Sequence, residues 1–304
     1  MKIAVTGSTG FVGQNLTLYL KRFGIEIQVI SRAELQHPDA SLFEGCDALI
    51  HLAAKAHDLK RVSNPEEYEA VNYVLTKKLY DAFLFSKASK FIFLSSVKAA
   101  ADTLSGVLKE DSLPKPQTAY GKSKLKAETY LAAQNLAEGK SLYILRPCMI
   151  HGPGNKGNLN LLYQFVKKGI PWPLAAFDNK RSFLSVENLC FVIKEILNHP
   201  HIPSGIYNVA DDEALSTSTV VSILAASLQQ EPKLWFLPKG LVCKLAKLGD
   251  TLRLPLNTER LTKLTESYVA DNSKIKQVLQ QDLPLSAREG LKLTANSFHN
   301  LKHK

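Results

Sequence analysis

The segment TAYGKSK at 118–124 places a phenol and an ammonium four residues apart, at Tyr120 and Lys124. Residues at this spacing lie on the same face of a helix, so the Lys124 ammonium can approach the Tyr120 hydroxyl. A free tyrosine has a pKa of roughly 10 and is a poor base at neutral pH. A nearby cation and a helix N-terminus both favour the phenolate. The pair therefore indicates proton transfer to or from a substrate hydroxyl.

A third polar group is expected beside this pair, where it would hydrogen-bond the reacting oxygen. The apolar run KFIFLSS at 90–96 precedes the helix and ends in two serines. Parallel sheets place their ligands at the carboxyl ends of strands. Ser96 is therefore the candidate, and Ser95 is the alternative.

A glycine loop, VTGSTGFVG, joins the first apolar run to the first helical pattern. Gly7, Gly10 and Gly13 recur every three residues, which permits a tight turn, a close approach of backbone N–H groups to a pyrophosphate, and close packing of helix on strand. The loop predicts a dinucleotide site that includes Phe11 and Val12. A glycine-rich turn that only joins two elements is the alternative.

The end of the second predicted strand, VISRA, bears on which dinucleotide binds. NAD-binding sheets usually carry an acidic residue there, which accepts hydrogen bonds from the adenosine ribose. Here Ser31 and Arg32 occupy the position, and no acid follows until Glu34. A guanidinium suits a 2′-phosphate, so the sequence favours NADP over NAD. Arg32 as a solvated surface residue is the other interpretation.

The elements that position these residues alternate along the first half of the chain. Apolar runs predict strands and 3.6-residue spacing predicts helices, in the order 2–7 (strand), 11–23 (helix), 26–32 (strand), 47–54 (strand), 65–86 (helix), 90–96 (strand), 120–137 (helix) and 141–147 (strand). Continuous Val, Ile, Leu and Phe strands separated by helices indicate a parallel sheet covered on both faces. We predict an α/β fold with a Rossmann-type doubly wound sheet.

The second half follows a looser pattern, because prolines divide it into short pieces. We predict a dinucleotide-binding domain over 1–150, which also receives part of 180–211, and a smaller C-terminal α/β region over 151–304 that mainly binds substrate. Helices are expected at about 158–169, 186–198, 216–229 and 272–280.

The composition excludes several classes of protein. Of 304 residues, 45% are hydrophobic, and the four cysteines form no CxxC pair, so we expect no metal site and a reducing cytoplasm. No apolar run approaches about 18 residues, which predicts no membrane insertion. The net charge of +10 is spread among acidic residues without a basic arm, so we expect no nucleic acid partner. A phosphate-bearing small molecule or an anionic membrane surface would suit the same surplus.

Several spaced blocks together resemble the extended short-chain dehydrogenase/reductases, within the NAD-dependent epimerase/dehydratase family that acts on nucleotide sugars. The matching blocks are TGSTGFVG, HLAA (51–54), VN (71–72), FLSS, YGKSKLKAE, RP followed by HGPG, RSFLSVENL (181–189) and ADNSKIKQVL. The resemblance therefore covers the whole chain. It also allows a homodimer.

The resemblance implies a role for each matching residue. Ser96, Tyr120 and Lys124 would form a catalytic triad, with Lys124 also holding the nicotinamide ribose. The cofactor would further contact Leu52, Ala53, Ala54 and Pro147, with Asn72 bracing that region. Arg181 matches the family's arginine that faces the substrate diphosphate, and Lys98 and Asn158 are expected near it. A solvated surface position is the alternative for these three.

Two departures from the family pattern narrow the chemistry. Sugar 4,6-dehydratases carry an Asp-Glu pair after the triad serine or threonine, whereas Val97 and Lys98 stand here, which disfavours dehydration. His151 replaces the tyrosine of the YGPG block. A histidine there can act as an acid or base, or can be packed or solvated without a catalytic role.

The leading hypothesis is an NAD(P)-dependent 4-ketoreductase of a UDP-sugar, in the synthesis of bacterial surface-polysaccharide sugars. The alternative is a UDP-sugar 4-epimerase with tightly bound NAD, and Arg32 favours the reductase. A more distant alternative is a non-catalytic NADP(H)-sensing protein on the same fold. The intact set Ser96, Tyr120 and Lys124 argues against it, because a sensor does not need a tuned phenol.

Overall fold

Two units, each with its own buried core, make up the chain in a computed structural model that describes residues 1–55, 64–155, 157–252 and 257–300. The first unit comprises Met1–Cys148, Val186–Ala210 and Ala270–Pro284, and the second comprises Met149–Ser185, Asp211–Val269 and the described residues from Leu285 onward. Among the described helices, none has both the length and the apolar character needed to cross a bilayer.

A six-stranded parallel sheet forms the centre of the first unit. In spatial order its strands are β2 (Glu26–Ile30), β1 (Lys2–Thr6), β3 (Ala48–His51), β4 (Lys90–Leu94), β6 (Ser141–Pro147) and β9 (Gly205–Val209). All four residues of β3 are buried, as expected of a parallel strand covered on both faces. The predicted Rossmann-type doubly wound sheet is confirmed. Two short strands, β5 (Val107–Leu108) and β10 (Val269–Ala270), lie outside it.

Six α-helices belong to the first unit over the described residues. They are α1 (Phe11–Lys21), α2 (Pro65–Tyr68), α3 (Leu75–Phe85), α4 (Ala119–Ala132), α6 (Val186–Asn198) and α10 (Ser273–Leu279). The long helix predicted at 65–86 is interrupted by a π-helical segment, Glu69–Val74, which joins α2 to α3. It starts where the Asn64 side chain accepts a hydrogen bond from the Glu66 N–H and Pro65 takes the first helical position.

The sheet reverses its direction of growth at β1. The chain passes from β1 to β2 on one side and then to β3 on the other, and a ligand site is expected at the carboxyl ends of strands where such a reversal occurs. Gly7 follows β1 directly and Leu52 follows β3 directly. The fold therefore brings two of the predicted cofactor segments to one edge of the sheet.

The second unit has its own apolar core. Its elements are β7 (Met149–His151), α5 (Asn158–Lys167), β8 (Phe183–Ser185), α7 (Thr217–Ser227), α8 (Lys239–Leu252), α9 (Thr258–Thr265) and α11 (Ala287–Asn300), with β7 and β8 parallel. The core is built from buried side chains on most of these elements, among them Tyr163, Phe183, Leu224, Val242 and Leu291. This is a small α/β unit.

The division of the chain differs from the sequence-based boundaries in one segment. The change of unit falls after Cys148, and both β9 and Ala270–Pro284 belong to the first unit, whereas the sequence-based division is at 150 and assigns 270–284 to the second region. Ile275 and Leu279 are buried on α10, which packs on β9. Helical periodicity identifies the apolar face of such a helix but not the core that receives it.

The packing of α1 against the loop after β1 requires a glycine at position 13. A Cβ at this position would lie 2.3 Å from the Gly7 carbonyl oxygen and 2.5 Å from the Ser8 Cα, both far inside van der Waals contact. Because both neighbours are backbone atoms, the clash cannot be relieved by a change of rotamer. Any side chain at Gly13 forces the helix away from the loop.

We expect Gly13→Ala to lower the free energy of unfolding by about 1–3 kcal/mol, the usual cost of overpacking, as measured by urea denaturation. Gly240→Ala is the matched control, because a Cβ there meets no atom within 4 Å and alanine favours the first turn of α8. Equal unfolding free energies for the two variants would contradict this account of the loop.

Candidate active site

A cavity of about 1100 Å³ opens at the carboxyl ends of the first three strands. Its walls include predicted cofactor residues from three separate loops, namely Gly7, Gly10, Ser31, Arg32, Leu52, Ala53 and Ala54. Gly7 has a φ of +71°, and a Cβ there would lie 2.7 Å from the Ala53 nitrogen. Only glycine allows the two loops to meet this closely.

The N-terminus of α1 begins directly after Gly10, which lines this cavity. Phe11, Val12 and Gly13 form the first turn of this helix. The first N–H groups of a helix lack intrahelical partners and carry positive partial charge. Such a loop and helix N-terminus can accept a phosphate group, and a dinucleotide site at this place stays a prediction.

The end of β2 differs from what the linear sequence suggests. The Glu34 carboxylate folds back and accepts a hydrogen bond from the Ser31 N–H at 2.7 Å, and hydrogen bonds from Ser31 lower its pKa. Arg32 is exposed between them and also lines the cavity. Arg32 thus lines the cavity, whereas Glu34 is bonded to the neighbouring Ser31 and is not among the residues that line it. From the sequence alone, Glu34 is not expected to be near Ser31, because it lies three residues further along the chain.

A buried histidine links β1, β3 and the long helix under the cavity. The Thr6 Oγ1 lies 2.7 Å from the His51 Nδ1, and the His51 Nε2 lies 2.9 Å from the Thr76 Oγ1. Thr76 donates to the Asn72 carbonyl, and Thr6 accepts from the Ala53 N–H. These bonds are all satisfied when His51 is neutral and carries its proton on Nε2. Burial, with the charge of Lys124 as a smaller cause, lowers the pKa of His51 to about 3.

Asn72 fastens the loop that follows β3. Its Oδ1 accepts from the Lys55 N–H at 2.8 Å, and its Nδ2 donates to the Lys55 carbonyl and to the Ser123 hydroxyl. Asn72 is fully buried in the π-helical segment. It holds the loop 52–55 against α4, which agrees with the bracing role that the resemblance implies.

The start of α4 is fixed by a hydrogen-bonded N-cap and by a close backbone contact at a glycine. The Thr118 hydroxyl accepts from the Gly121 N–H, and the Asp102 carboxylate accepts from the Thr118 hydroxyl and from two backbone N–H groups, of Gln117 and Thr118. A Cβ at Gly121 would lie 2.4 Å from the Lys98 carbonyl oxygen. The glycine beside Tyr120 therefore lets α4 approach the segment that follows β4.

This approach brings Ser96, Tyr120 and Lys124 together. The Ser96 and Tyr120 side chains are hydrogen-bonded, and the Ser96 hydroxyl also accepts from the Lys98 N–H. Lys124 is 2% exposed, and its Nζ donates to the Leu94 carbonyl at 2.8 Å over the face of the Phe93 ring. The three predicted catalytic groups thus lie at the carboxyl end of β4 and on the first turns of α4.

The acid-base balance of this group differs from the sequence-based expectation. Burial raises the pKa of Tyr120, and the hydrogen bond with Ser96 only partly opposes it. Burial also lowers the pKa of Lys124 to about 7, against the attraction of Glu128. The groups of the chain itself therefore keep Tyr120 protonated. A lower pKa for the phenol requires an added positive charge.

Ser95 faces a different partner. It donates to the Glu128 carboxylate, which also accepts from the Arg146 Nε at 3.1 Å and from its terminal nitrogen at 2.6 Å. Both side chains of this ion pair are 2% exposed. Sequence reasoning missed this network, although the spacing of Tyr120, Lys124 and Glu128 signals a polar helix face turned inward.

Of the predicted substrate residues, Lys98 is in the first unit and Asn158 and Arg181 are in the second. The Lys98 Nζ donates to the Asp102 carbonyl at 2.6 Å. Asn158 is exposed at the first position of α5. The Arg181 guanidinium donates to the Glu266 carbonyl at 3.0 Å and to the Lys263 carbonyl, both at the C-terminal end of α9. Arg181 therefore holds the end of a helix in place.

His151 is packed inside the second unit. It is fully buried, its Nδ1 lies 2.8 Å from the Thr294 hydroxyl, and its Nε2 lies 3.5 Å from the Asp211 carboxylate. The sequence allows His151 to be an acid or base, or a histidine without a catalytic role, and its burial here is that of a packed side chain. Over the described ranges, no group of three or more His, Cys, Asp or Glu side chains is placed to hold a metal ion.

Comparisons with known proteins agree on one family. The model described as "NAD dependent epimerase/dehydratase family" matches residues 3–210. A UDP-glucose 4-epimerase of Vibrio cholerae is 32% identical over 320 residues, covering 97% of this chain and 95% of the relative. A GDP-6-deoxy-D-mannose reductase of Pseudomonas aeruginosa is 27% identical over 247 residues, covering 76% and 81%. The solved structure of MoeE5 in complex with UDP-glucuronic acid and NAD has a TM-score of 0.77 at 22% identity, covering 99% and 100%.

The buried His51 predicts a specific loss of stability in acid. An unfolded histidine binds a proton below about pH 6.5, whereas folded His51 stays neutral to a pKa of about 3. The unfolded state therefore binds more protons across this window, so the free energy of unfolding falls as the pH falls, by up to about 1.4 kcal/mol per pH unit from this residue.

We expect this slope to disappear in His51→Gln, whose side chain does not titrate, when urea denaturation is followed between pH 4.5 and 6.5. His37→Gln is the control, because His37 is exposed and its removal should leave the slope unchanged. A wild-type slope that persists in His51→Gln would show that other groups govern the acid sensitivity.

Proposed function

Because this chain belongs to the NAD dependent epimerase/dehydratase family, we propose that it transfers a hydride at C4 of a UDP-sugar, as a 4-epimerase that keeps NAD bound. It is an NAD(P)-dependent nucleotide-sugar enzyme. One observation carries the proposal, the hydrogen bond between Ser96 and Tyr120 with Lys124 one helical turn further on, at the sheet edge that also forms the dinucleotide cavity.

The chain's own residues account for the movement of the proton. When bound, the nicotinamide accepts and returns the hydride. Tyr120 takes the proton from the sugar hydroxyl during oxidation and gives it back during reduction, and Ser96 holds the same oxygen by a hydrogen bond. Lys124 is buried one helical turn from Tyr120, and burial lowers its pKa to about 7, so a further positive charge is needed to favour the phenolate of Tyr120. The neutral His51 and Asn72 keep the loop 52–55 in place beside the cavity.

Two features favour the epimerase over the reductase. The Vibrio cholerae relative, which is similar over nearly its whole length, is a UDP-glucose 4-epimerase. The Glu34 carboxylate is held against the N–H of Ser31, which lines the cavity, and its negative charge there would repel a 2′-phosphate. The 4-ketoreductase with NADP remains the second candidate, because Arg32 lines the same cavity and the Pseudomonas aeruginosa relative is a reductase.

On the substrate side, we propose that Lys98 of the first unit contacts the nucleotide sugar, and Asn158 of the second unit stays a prediction from the sequence. Arg181 contributes its charge from a fixed position, because two of its donor groups already bind the carbonyls of Lys263 and Glu266. Burial also lowers the pKa of Arg181, which accords with a guanidinium held inside the unit. A cytoplasmic location and a homodimer remain predictions from the sequence.

The first test is interconversion of UDP-glucose and UDP-galactose by the purified protein, followed by chromatography of the sugar nucleotides. We expect turnover without net consumption of dinucleotide. Tyr120→Phe should lower the rate by at least about a hundredfold, because it removes the proton donor and keeps the ring. Tyr130→Phe is the control on the same helix, since its hydroxyl bonds Asp81 and lies outside the triad.

A different result would identify the second candidate. Stoichiometric oxidation of NADPH by a UDP-4-keto-6-deoxy sugar, without epimerisation, would establish the reductase. Full activity of Tyr120→Phe in either reaction would sink the proposed chemistry.

The dinucleotide preference tests the residues at the end of β2. We expect the unmodified protein to bind NADH more tightly than NADPH in a fluorescence titration. Glu34→Gln should shift the ratio toward NADPH severalfold, because it removes a negative charge that repels a 2′-phosphate. Arg32→Gln should shift the ratio the opposite way. A wild-type preference for NADPH that Glu34→Gln leaves unchanged would restore the sequence-based prediction of NADP.

A further inference from the structure

Helix α8 of the second unit exposes a face made of four leucines. Leu241, Leu245, Leu248 and Leu252 are 48%, 45%, 51% and 58% exposed, and their spacing of four, three and four residues places them in one stripe. We call this stripe the leucine face. Its neighbours on the helix, Val242, Ala246 and Gly249, are buried in the core of the unit. The helix is thus apolar on two faces and uses only one of them for folding.

Two aromatic side chains precede this helix and are also exposed. Trp235 is 55% exposed and Phe236 is 70% exposed. Their backbone is fixed, because the Trp235 N–H donates to the Trp172 carbonyl at 2.8 Å and the Trp235 carbonyl accepts from the Ala175 N–H. Rigid backbone holds large apolar side chains in water at this place. Two neighbouring exposed aromatic residues that precede an exposed apolar helix face in the chain are typical of an interaction surface.

Lysines accompany the apolar residues on both segments. At roughly 100° per residue, Lys244 borders the leucine face on the side away from the core, with Lys247 beyond it, and both are exposed. On the other segment, a cavity of about 440 Å³ is lined by Lys167, Lys168 and Lys233, together with Glu231. Lys233 is two residues from Trp235, and its carbonyl accepts from the Trp172 N–H.

We propose that this surface, formed by the leucine face, Trp235, Phe236 and the adjoining lysines, docks the protein on an anionic membrane. A helix with leucines on one side and lysines along the border lies in a lipid interface, with tryptophan at the headgroup level. The net charge of +10 attracts the chain to such a surface. A protein partner or a second copy fits less well, because lysine is depleted at the cores of protein interfaces.

The composition of this surface also defines the mode of binding. No described helix can cross a bilayer, so the contact is one of an interfacial helix lying on the lipid. Asp250 is the acidic residue on α8, and its carboxylate accepts hydrogen bonds from Thr258, which turns it toward α9. The cavity lysines can hold lipid phosphates next to Trp235. Binding therefore requires both apolar side chains and anionic headgroups.

The test is flotation of the full chain with two kinds of vesicle. One kind is phosphatidylcholine with about 30 mol% phosphatidylglycerol, and the other is phosphatidylcholine alone. We expect binding to the anionic vesicles only. Leu245→Gln combined with Leu248→Gln should weaken it at least about tenfold, with charge and helix propensity conserved. The control is Leu113→Gln with Leu293→Gln, whose leucines are 75% and 51% exposed elsewhere.

A second pair of variants separates local from general charge. Lys244→Gln with Lys247→Gln should weaken binding about thirtyfold, since each lysine near an anionic surface contributes about fivefold. Lys21→Gln with Lys87→Gln removes the same net charge from exposed positions of the first unit and should change binding little. Circular dichroism and epimerase activity in free solution, measured on all variants, verify that the fold and the reaction are intact.

Three outcomes would overturn the proposal. The first is that the unmodified protein fails to float with anionic vesicles. The second is that the leucine variants float as well as the unmodified protein, and the third is that the control pairs lose as much binding as the test pairs. A dimer in analytical ultracentrifugation that the leucine variants dissociate, without vesicle binding, would assign the surface to a second copy of the chain. Because flotation needs no turnover, failure here leaves the proposed reaction untouched.

Discussion

A carboxylate buried under the sheet, that of Glu128, determines where α4 can lie. An unpaired buried charge costs several kcal/mol, so Glu128 and Arg146 must meet, with Ser95 completing the carboxylate's hydrogen bonds. Arg146 is fixed in β6, and the pair therefore fastens the middle of α4 to the centre of the sheet. Lys124 and Tyr120 lie one and two helical turns earlier on the same face. Their positions follow from this ion pair.

Close backbone contacts complete the arrangement, and each depends on a glycine. Gly121 lets α4 approach the segment after β4, and Gly7 and Gly13 let the first loop touch both α1 and the loop after β3. A side chain at any of these positions would collide with backbone atoms. The ion pair fixes where α4 lies along the sheet, and the glycines fix how near the elements come. Together they place Ser96, Tyr120 and the dinucleotide cavity at one sheet edge.

The sequence predicts the fold class and the groups on which the chemistry rests, because these depend on local patterns. Apolar runs indicate parallel strands, and the pair Tyr120 and Lys124 is visible from its spacing. The features it does not reveal depend on chain reversal. Glu34 returns to Ser31 through a turn, and Arg146 meets a residue 18 positions away. The segment Ala270–Pro284 joins the first core although it is distant in the chain. The periodicity of apolar residues does not predict which distant residues come into contact.

The unequal proton affinities of the site bear on the direction of its reaction. Burial raises the pKa of Tyr120, so the phenol of the chain alone is an acid that holds its proton. An acid in contact with Ser96 suits the reductive half of the reaction, in which a keto oxygen receives a proton. The oxidative half needs a base, and the chain does not make one by itself, because Lys124 is bonded to the Leu94 carbonyl and has its own pKa lowered to about 7. An oxidised nicotinamide bound beside Tyr120 would supply a positive charge in the required direction, and its reduced form would not. Under the proposed epimerase function, Tyr120 would thus serve as base and acid in turn, because its pKa would follow the charge of the bound cofactor.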